Sequence, residues 1–147
     1  PFFFGNKSKL SCLTSALQLI KTLNPEAQPN SKIFELIENF FLILKSEDWI
    51  KNYILWELKL FSLLGYNLEL DKIVTKKIEN DKVFYQLNSQ SEDRIVPNFL
   101  IENDFSANDE ELIKGLKLVS DFLDKSILKP NNLNHPISRL QFLNNLK

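Results

Sequence analysis

Few residues of this 147-residue chain have side chains that are typical of catalysis or metal binding. The only histidine, His135, has no cysteine near it in the sequence, so we expect it to cap a helix or lie at the surface rather than bind zinc. The only cysteine, Cys12, falls on an apolar helix face and is interpreted as a small core residue. The three glycines are widely scattered and form no phosphate-binding loop. The sequence therefore predicts a protein that is not an enzyme, with no cofactor and no metal site.

The most informative ionisable residue is Glu57, because it falls in the middle of an apolar helix face. At about 100° per residue, its neighbours around the helix are apolar or aromatic. A carboxylate buried there needs a partner, since an unpaired buried charge is very costly. Arg139 is the only arginine of the last predicted helix and lies between Ile137 and Leu140. The sequence predicts a Glu57–Arg139 ion pair; the alternative is that Glu57 turns to solvent at the helix edge.

One long helix, predicted over residues 49–65, positions Glu57 and organises the chain. Its polar residues collect on one narrow arc, and the rest of its circumference is apolar. A helix of this kind must have neighbours on several sides. Gly65 ends the helix, because glycine readily takes the left-handed conformation found there. The polar arc consists of Lys51, Asn52, Lys59 and Ser62.

Two helices are predicted before this central helix from apolar residues at helical spacing. The first covers residues 9–23, and its stripe is Leu10, Leu13, Ala16, Leu17, Ile20 and Leu23. The second opens at Ser31, and its broad apolar face is Ile33, Phe34, Ile37, Phe40, Phe41 and Leu44. We interpret the aromatic residues in and near this helix as core rather than as platforms for stacking nucleic-acid bases. They are Phe34, Phe40, Phe41, Trp49, Tyr53 and Trp56.

The second half of the chain predicts two more helices and one uncertain insert. A helix follows Ser106, which has capping-box spacing with Asp109, and Gly115 within it indicates a close crossing. A last short helix starts at Pro136 and places Ile137, Leu140, Leu143 and Leu146 along one side. Residues 71–96 predict a short insert that is either irregular or a β-hairpin, with a charged turn at 76–82 and a strand at 82–87. The predicted fold class is mainly α, a multi-helix domain around a central buried helix.

Composition fits one domain over residues 1–147 with a real core, since 44% of the residues are hydrophobic. The net charge of −1 argues against a large nucleic-acid-binding face. A local basic patch, formed by Lys72, Lys76, Lys77 and Lys82, interleaves with acidic residues. A solvated turn is therefore favoured over a DNA surface.

The single cysteine fits a reducing compartment, and no signal peptide or membrane span is recognised, which predicts a cytoplasmic location. The chain has no methionine, even at position 1, which favours a piece of a longer protein.

Three blocks in this order resemble the C-terminal part of the RecO family, the bacterial recombination mediators of DNA repair. They are WELKLFSLLGYNLELD at 56–71, GLKLVSDFLDKSI at 115–127 and ISRLQFLNNL at 137–146. The upstream stretch at 15–44, SALQLIKTLNPEAQPNSKIFELIENFFLIL, is similar to the helical pair of RecO proteins of the α-proteobacterial kind. The resemblance covers nearly the whole chain.

The resemblance implies a helical domain that normally follows an N-terminal OB-fold, which is absent from this chain. Family members bind DNA, anneal complementary strands, engage RecR and the acidic tail of single-stranded DNA-binding protein, and help load the RecA recombinase. Many members also carry a zinc site, but Ile73 stands where one of its cysteines is expected. The resemblance therefore implies a non-enzymatic module that engages these partners, binds DNA weakly at most, and has lost the metal site.

Many family members place an arginine just ahead of the aromatic-Glu-Leu block, where it can serve the carboxylate of the partner's tail. This chain has Ile54 and Leu55 there, and Lys51 is the nearest cation. The expected contact for the tail is therefore formed by Lys51, Tyr53 and Ile54 at the start of the central helix. The alternative function is a helical remnant of a split RecO reading frame, with no DNA activity of its own.

Overall fold

The structure, a computed structural model, describes residues 6–24, 31–88 and 95–146. Within these ranges, α-helices predominate and one small antiparallel sheet lies between the fourth and fifth of them. This confirms the predicted mainly α fold, and of the two alternatives left open for the insert the structure has the β-hairpin. The helices are α1 (Asn6–Leu23), α2 (Ser31–Leu44), α3 (Trp49–Leu63), α4 (Leu70–Ile73), α5 (Asn98–Ile101), α6 (Asp109–Phe122) and α7 (Ile137–Asn145), and the strands are β1 (Val74–Glu79), β2 (Lys82–Leu87) and β3 (Ile95–Val96).

Helix α3 lies at the centre of the core, as its sequence predicts. Eight of its fifteen residues are buried, and Gly65 follows it with a φ of 95°. The amide of Tyr66 donates to the carbonyl of Phe61 over 2.8 Å, and the amide of Gly65 donates to that of Ser62 over 3.0 Å. This pair of bonds is a Schellman motif, which needs a left-handed residue at the position of Gly65. The buried residues of α3 are Trp49, Ile50, Tyr53, Ile54, Trp56, Glu57, Leu60 and Phe61.

Helix α2 packs on α3 through a narrower face than the sequence predicts. The indole nitrogen of Trp56 donates to the carbonyl oxygen of Leu36 over 2.8 Å, and the rings of Phe40 and Trp56 lie 5.2 Å apart. Phe34 and Phe41, which the sequence assigned to the core, are exposed. The prediction was wrong for these two because a helix at the edge of a domain is covered along one stripe only.

Helix α1 is also rotated relative to its predicted stripe. Leu10 and Leu17 are exposed, whereas Ala16 and Ser15 are fully buried. Cys12 is fully buried too, which confirms its interpretation as a core residue. Small side chains let the helix approach its neighbours closely, and Ser15 Oγ reaches the hydroxyl of Tyr53 at 3.0 Å. The predicted stripe was therefore right for Ala16 and wrong for Leu10 and Leu17, while Leu19, which lies outside it, is fully buried.

The cap of α6 lies two residues after the predicted one. Asn108, not Ser106, is the N-cap, and its side-chain oxygen accepts from the amide of Glu111 over 2.8 Å. The Glu111 carboxylate accepts from the amide of Asn108 over 3.3 Å, which completes a capping box. After Phe122 the chain continues as a π-helical segment (Leu123–Leu128) and a 3-10 turn (Lys129–Asn131).

Helix α7 turns a different side to the core from the one that the sequence predicts. Arg139 and Phe142 are fully buried, while Ile137 is 67% exposed and Leu140 is 43% exposed. Its N-terminal turn is joined to α1 because the amide of Ser138 donates to Oε1 of Gln18 over 3.0 Å. The predicted leucine and isoleucine side of α7 is therefore partly open to solvent.

The insert forms an antiparallel sheet with the strand order β1-β2-β3. The β1–β2 turn consists of Asn80 and Asp81 alone, at φ values of 53° and 61°, which is the pattern of a type I′ hairpin turn. The charged turn predicted over 76–82 was therefore too long, since most of its residues belong to strands. Lys76, Lys77 and Lys82 are exposed. Most of the loop between β2 and β3 lies outside the described residues.

Gly115 of α6 lies against the ring of Phe99. A Cβ atom built at Gly115 would come within 2.6 Å of Phe99 Cζ, which is closer than real contacts allow. Phe99 is fully buried and belongs to α5. The sequence predicted a close approach of another helix at Gly115. Such an approach is present, and it is made by the ring of Phe99 from α5.

We expect Gly115→Ala to destabilise the protein, although alanine normally stabilises a helix by about 1 kcal/mol relative to glycine. Overpacking against a buried ring costs about 1–3 kcal/mol, which exceeds that gain over most of its range. Urea denaturation of the wild type, Gly115→Ala and Gly115→Ala with Phe99→Leu measures the effect. Partial recovery in the double variant assigns the loss to the ring, whereas a stabilising Gly115→Ala contradicts the prediction.

Candidate functional site

A bidentate ion pair lies at the centre of the core. Arg139 Nη2 donates to Glu57 Oε1 over 2.7 Å, and Arg139 Nε donates to Glu57 Oε2 over 2.8 Å. Both side chains are fully buried. The two residues paired by the sequence argument are therefore in contact, and they join α3 to α7.

Two hydroxyl groups extend this pair towards α1. The hydroxyl of Tyr53 donates to Glu57 Oε2 over 2.6 Å, so Ser15 Oγ, 3.0 Å from the Tyr53 oxygen, is the donor in the next bond. Burial, and then the nearby Glu57 carboxylate, raise the pKa of Tyr53 well above its usual value. The same two causes raise the pKa of the Cys12 thiol. Cys12 therefore stays a thiol at neutral pH and is not an activated nucleophile.

The other side of Arg139 contacts groups that the sequence analysis did not connect to it. Arg139 Nη1 donates to Ser120 Oγ over 2.9 Å and lies 3.0 Å from His135 Nε2. A guanidinium group only donates, so Nε2 of His135 must accept. The proton is then on Nδ1, which donates to Asp124 Oδ1 over 3.3 Å. Burial alone would lower the pKa of Arg139, but the attraction and hydrogen bonds of Glu57 outweigh it and raise the pKa.

His135 is not the surface or capping residue that the sequence predicts. Its side chain is only 13% exposed and lies between Arg139 and Asp124. The four-residue spacing of His135 and Arg139 was the one available signal, because it can bring a residue just before a helix next to one in its first turn. Asp124 gave no signal, since its position depends on the π-helical segment.

We expect the stability of the protein to fall as the pH drops below about 6.5. Burial, and then the positive charge of Arg139, lower the pKa of His135 below its ordinary value of about 6.5. The unfolded chain therefore takes up this proton at a higher pH than the folded chain does. The contribution of His135 to stability is fully present above about pH 6.5. Below this pH the free energy of unfolding decreases, by at most about 1.4 kcal/mol per pH unit.

Urea denaturation at several pH values measures this slope for the wild type and for His135→Gln. His135 is the only histidine in the chain, so the substitution removes the one side chain with an ordinary pKa in this range. A slope that is the same in both proteins would contradict the assignment.

One continuous network of side-chain contacts joins the helices, and its members are Ser15, Tyr53, Glu57, Arg139, Ser120, His135 and Asp124. The ion pair is closed to solvent, so no substrate reaches its charged atoms. Among the described residues, no cluster of three or more histidine, cysteine, aspartate or glutamate side chains is placed to hold a metal ion. Within the same ranges, no helix is long and apolar enough to cross a membrane.

Two of the three residues that were expected to form the partner contact at the start of the central helix are closed to solvent. Tyr53 and Ile54 are fully buried, and the Tyr53 hydroxyl is bonded to Glu57. Of the three predicted residues, only Lys51 is partly exposed. The prediction was wrong for Tyr53 and Ile54 because helical geometry places them near Lys51 but does not show which neighbours cover them.

An open groove lies instead between α6 and α7, with a volume of about 420 Å³. We call it the α6–α7 groove. Its one charged lining residue among the described residues is Lys117, which is exposed. Ser120, which accepts from Arg139, joins its wall to the buried network. Its lining is Ile113, Leu116, Lys117 and Ser120 from α6, with Leu140, Leu143, Asn144 and Leu146 from α7 and its end.

Comparison with known protein families gives one match that covers most of the chain. Residues 6–134 match the family described as "Recombination protein O C terminal". The matched range includes Glu57, Ser120 and Asp124 and ends before Arg139, so one half of the ion pair lies outside it. No solved structure matches the chain significantly.

Curated relatives named DNA repair protein RecO match nearly the whole chain at low identity. The protein of Rickettsia canadensis is 27% identical, with 97% of this chain and 63% of the relative covered. That of Rhodospirillum centenum is 26% identical, with 92% of this chain and 59% of the relative covered. That of Rickettsia rickettsii is 27% identical, with 88% of this chain and 60% of the relative covered. The chain thus spans about six tenths of the length of these curated relatives.

Proposed function

This chain belongs to the family of the C-terminal part of recombination protein O, and from that membership we propose that it is a non-enzymatic module of a recombination mediator in DNA repair. The observation that carries the proposal is the family match over residues 6–134. The names of the curated relatives, DNA repair protein RecO, support the same role. We place this role in the cytoplasm, where chromosomal DNA of bacteria is repaired.

In this role the chain engages the tail of single-stranded DNA-binding protein and RecR, and so helps to load RecA. The proposal of a binding module is supported by the buried network, whose charged groups Glu57 and Arg139 are used to hold helices together. The apolar α6–α7 groove supplies the kind of surface that peptide recognition uses.

DNA is the weaker partner in this proposal. The net charge is −1, and affinity for phosphates rises with the number of cations that neutralise them. One exposed cation of the insert is also paired with an acidic group, since Lys72 Nζ lies 3.0 Å from Glu69 Oε2. Any DNA binding by this chain should therefore be weak and lost as salt is raised.

Fluorescence anisotropy tests the function with two labelled ligands, the tail peptide of single-stranded DNA-binding protein and a single-stranded oligonucleotide. We expect the folded chain to bind the peptide better than the oligonucleotide. Lys51→Glu, measured in parallel, tests the residue favoured by the sequence. Absence of peptide binding by a chain whose folding is shown by circular dichroism would support the alternative of a remnant without activity.

A further inference from the structure

We propose that the solvent-facing side of α2 is a self-association surface, on which α2 of a second copy of this chain packs in the antiparallel direction. We call this side the α2 face, and its residues are Phe34, Glu38, Phe41, Leu42 and Lys45, all of them exposed. The inference goes beyond the proposed function and does not depend on it, because it is argued from the side chains of one helix and its last turn.

The α2 face leaves large apolar side chains in water. Phe34 and Leu42 are each 63% exposed, and Phe41 is 48% exposed. A single exposed apolar residue is ordinary, but three large ones on one 14-residue helix form a patch. The sequence assigned Phe34 and Phe41 to the core, and no described helix or strand covers them. Covering this patch removes apolar surface from water, which favours association.

The spacing of these residues forms a seam along the helix. Phe34, Glu38, Phe41 and Lys45 follow one another at steps of four, three and four residues. Such steps keep successive side chains on the same side of a helix, which is the pattern by which two helices pack side by side. The amide of Lys45 donates to the carbonyl of Leu42 over 3.1 Å, so the turn that ends α2 carries Lys45 at the end of the seam.

The charges of the seam select a second copy and its direction. Glu38 and Lys45 have opposite signs, and neither is in an ion pair with another described residue. In an antiparallel pair with a two-fold axis near Phe41, Glu38 of each copy comes near Lys45 of the other, so two contacts form at once. A parallel pair would bring like charges together, which costs free energy. The α2 face is therefore complementary to itself.

The α2 face is held in place before a second copy arrives. The indole nitrogen of Trp56 donates to the carbonyl oxygen of Leu36 over 2.8 Å, which joins α2 to the central helix. The exposed ring of Phe41 lies 6.1 Å from the buried ring of Phe40 in an edge-to-face contact. The ring of Phe40 packs in turn on Trp56. A surface that is ordered in advance loses less conformational entropy on binding.

Other occupants fit the α2 face less well. Nucleic acid would meet two exposed carboxylates on this helix, Glu35 and Glu38, which repel phosphate groups. Helices that lie on membranes carry a polar side rich in lysine and arginine, whereas the two lysines here, Lys32 and Lys45, are matched by two acids.

Sedimentation equilibrium of the purified chain at about 10–500 µM tests the proposal. One helix from each copy offers less area than the interfaces of stable dimers bury, so the dimer should be weak and form at the upper end of this range. We expect the apparent mass to rise from 17.2 kDa towards twice that value. Circular dichroism shows that each variant is folded.

Phe41→Ser should weaken self-association about tenfold or more, because it removes the ring nearest the two-fold axis. The matched control is Ile137→Ser, at a residue of α7 that is 67% exposed and lies outside the α2 face. This control should change self-association less than about threefold.

Reversing the charges gives a sharper test. Glu38→Lys leaves two cations on the seam and Lys45→Glu leaves two anions, so each variant alone should associate about tenfold more weakly than the wild type. A mixture of the two variants should associate again, because every contact between them then joins opposite charges. Lys114→Glu, which makes the same charge change as Lys45→Glu at an exposed residue of α6, is the control and should change self-association less than about threefold.

Three results would overturn the proposal. The first is a folded chain that stays monomeric at the highest concentration, and the second is a dimer that the α2 variants leave unchanged. The third is a monomeric chain whose binding to a single-stranded oligonucleotide or to anionic vesicles is lost in Phe41→Ser, because the α2 face then serves another partner. None of these readouts uses the tail peptide, so the proposed function stands or fails separately.

Discussion

Replacing Glu57 by alanine is expected to lower the free energy of unfolding by about 3–5 kcal/mol, because it leaves Arg139 as a buried charge without its partner. Both side chains are fully buried, and two hydrogen bonds of 2.7 and 2.8 Å join them. The loss also removes the acceptor of the Tyr53 hydroxyl, which is 2.6 Å from Glu57 Oε2. Urea denaturation followed by circular dichroism measures the change.

Two further variants test whether burial is the cause of the loss of stability expected for Glu57→Ala. Glu110→Ala breaks the Glu110–Lys114 pair, whose side chains are 79% and 59% exposed, and should cost no more than about 1 kcal/mol. Replacing both members of the buried pair, Glu57→Leu with Arg139→Met, should recover much of the loss, since neither charge then remains unpaired. A Glu57→Ala loss as small as that of Glu110→Ala would contradict the prediction.

The ion pair was predictable from the sequence because the constraint on it is strong. A carboxylate on an apolar helix face has few solutions, and the last helix offered one arginine. The central helix was predictable for a similar reason, since a helix that is apolar over most of its circumference can only lie inside a domain. In both cases the physical cost of the alternative is large.

The details that the sequence did not predict depend on which neighbour covers each helix face. Leu10, Phe34 and Ile137 have apolar side chains at helical spacing, yet they are exposed, while Ser15 is buried. Exposing one apolar residue costs little, so periodicity alone cannot assign it to the core. His135 was missed because one of its partners, Asp124, reaches it only through a π-helical segment.

The partner contact predicted on α3 also depended on which neighbours cover each residue. Helical geometry correctly placed Lys51 near Tyr53 and Ile54 on α3, but both apolar residues are covered in the fold. The α6–α7 groove arises between two helices, and Ile113 and Leu140, which line it, belong to different ones. A surface of this kind becomes visible only when the packing of the helices is known.

Phe142→Ala should destabilise the protein by about 3–5 kcal/mol, an effect comparable to that of Glu57→Ala. Phe142 is the fully buried ring of α7, and its centre lies 5.4 Å from Tyr53 in a perpendicular arrangement and 6.4 Å from Trp49. Alanine would leave a cavity between α7 and α3 next to the ion pair.

The matched control is Ile137→Ala, on the same helix at a residue that is 67% exposed. It should change the free energy of unfolding by less than about 0.5 kcal/mol. Chemical denaturation monitored by tryptophan fluorescence compares the two variants. Similar losses in both would mean that α7 turns its predicted isoleucine and leucine side, rather than Arg139 and Phe142, towards the core.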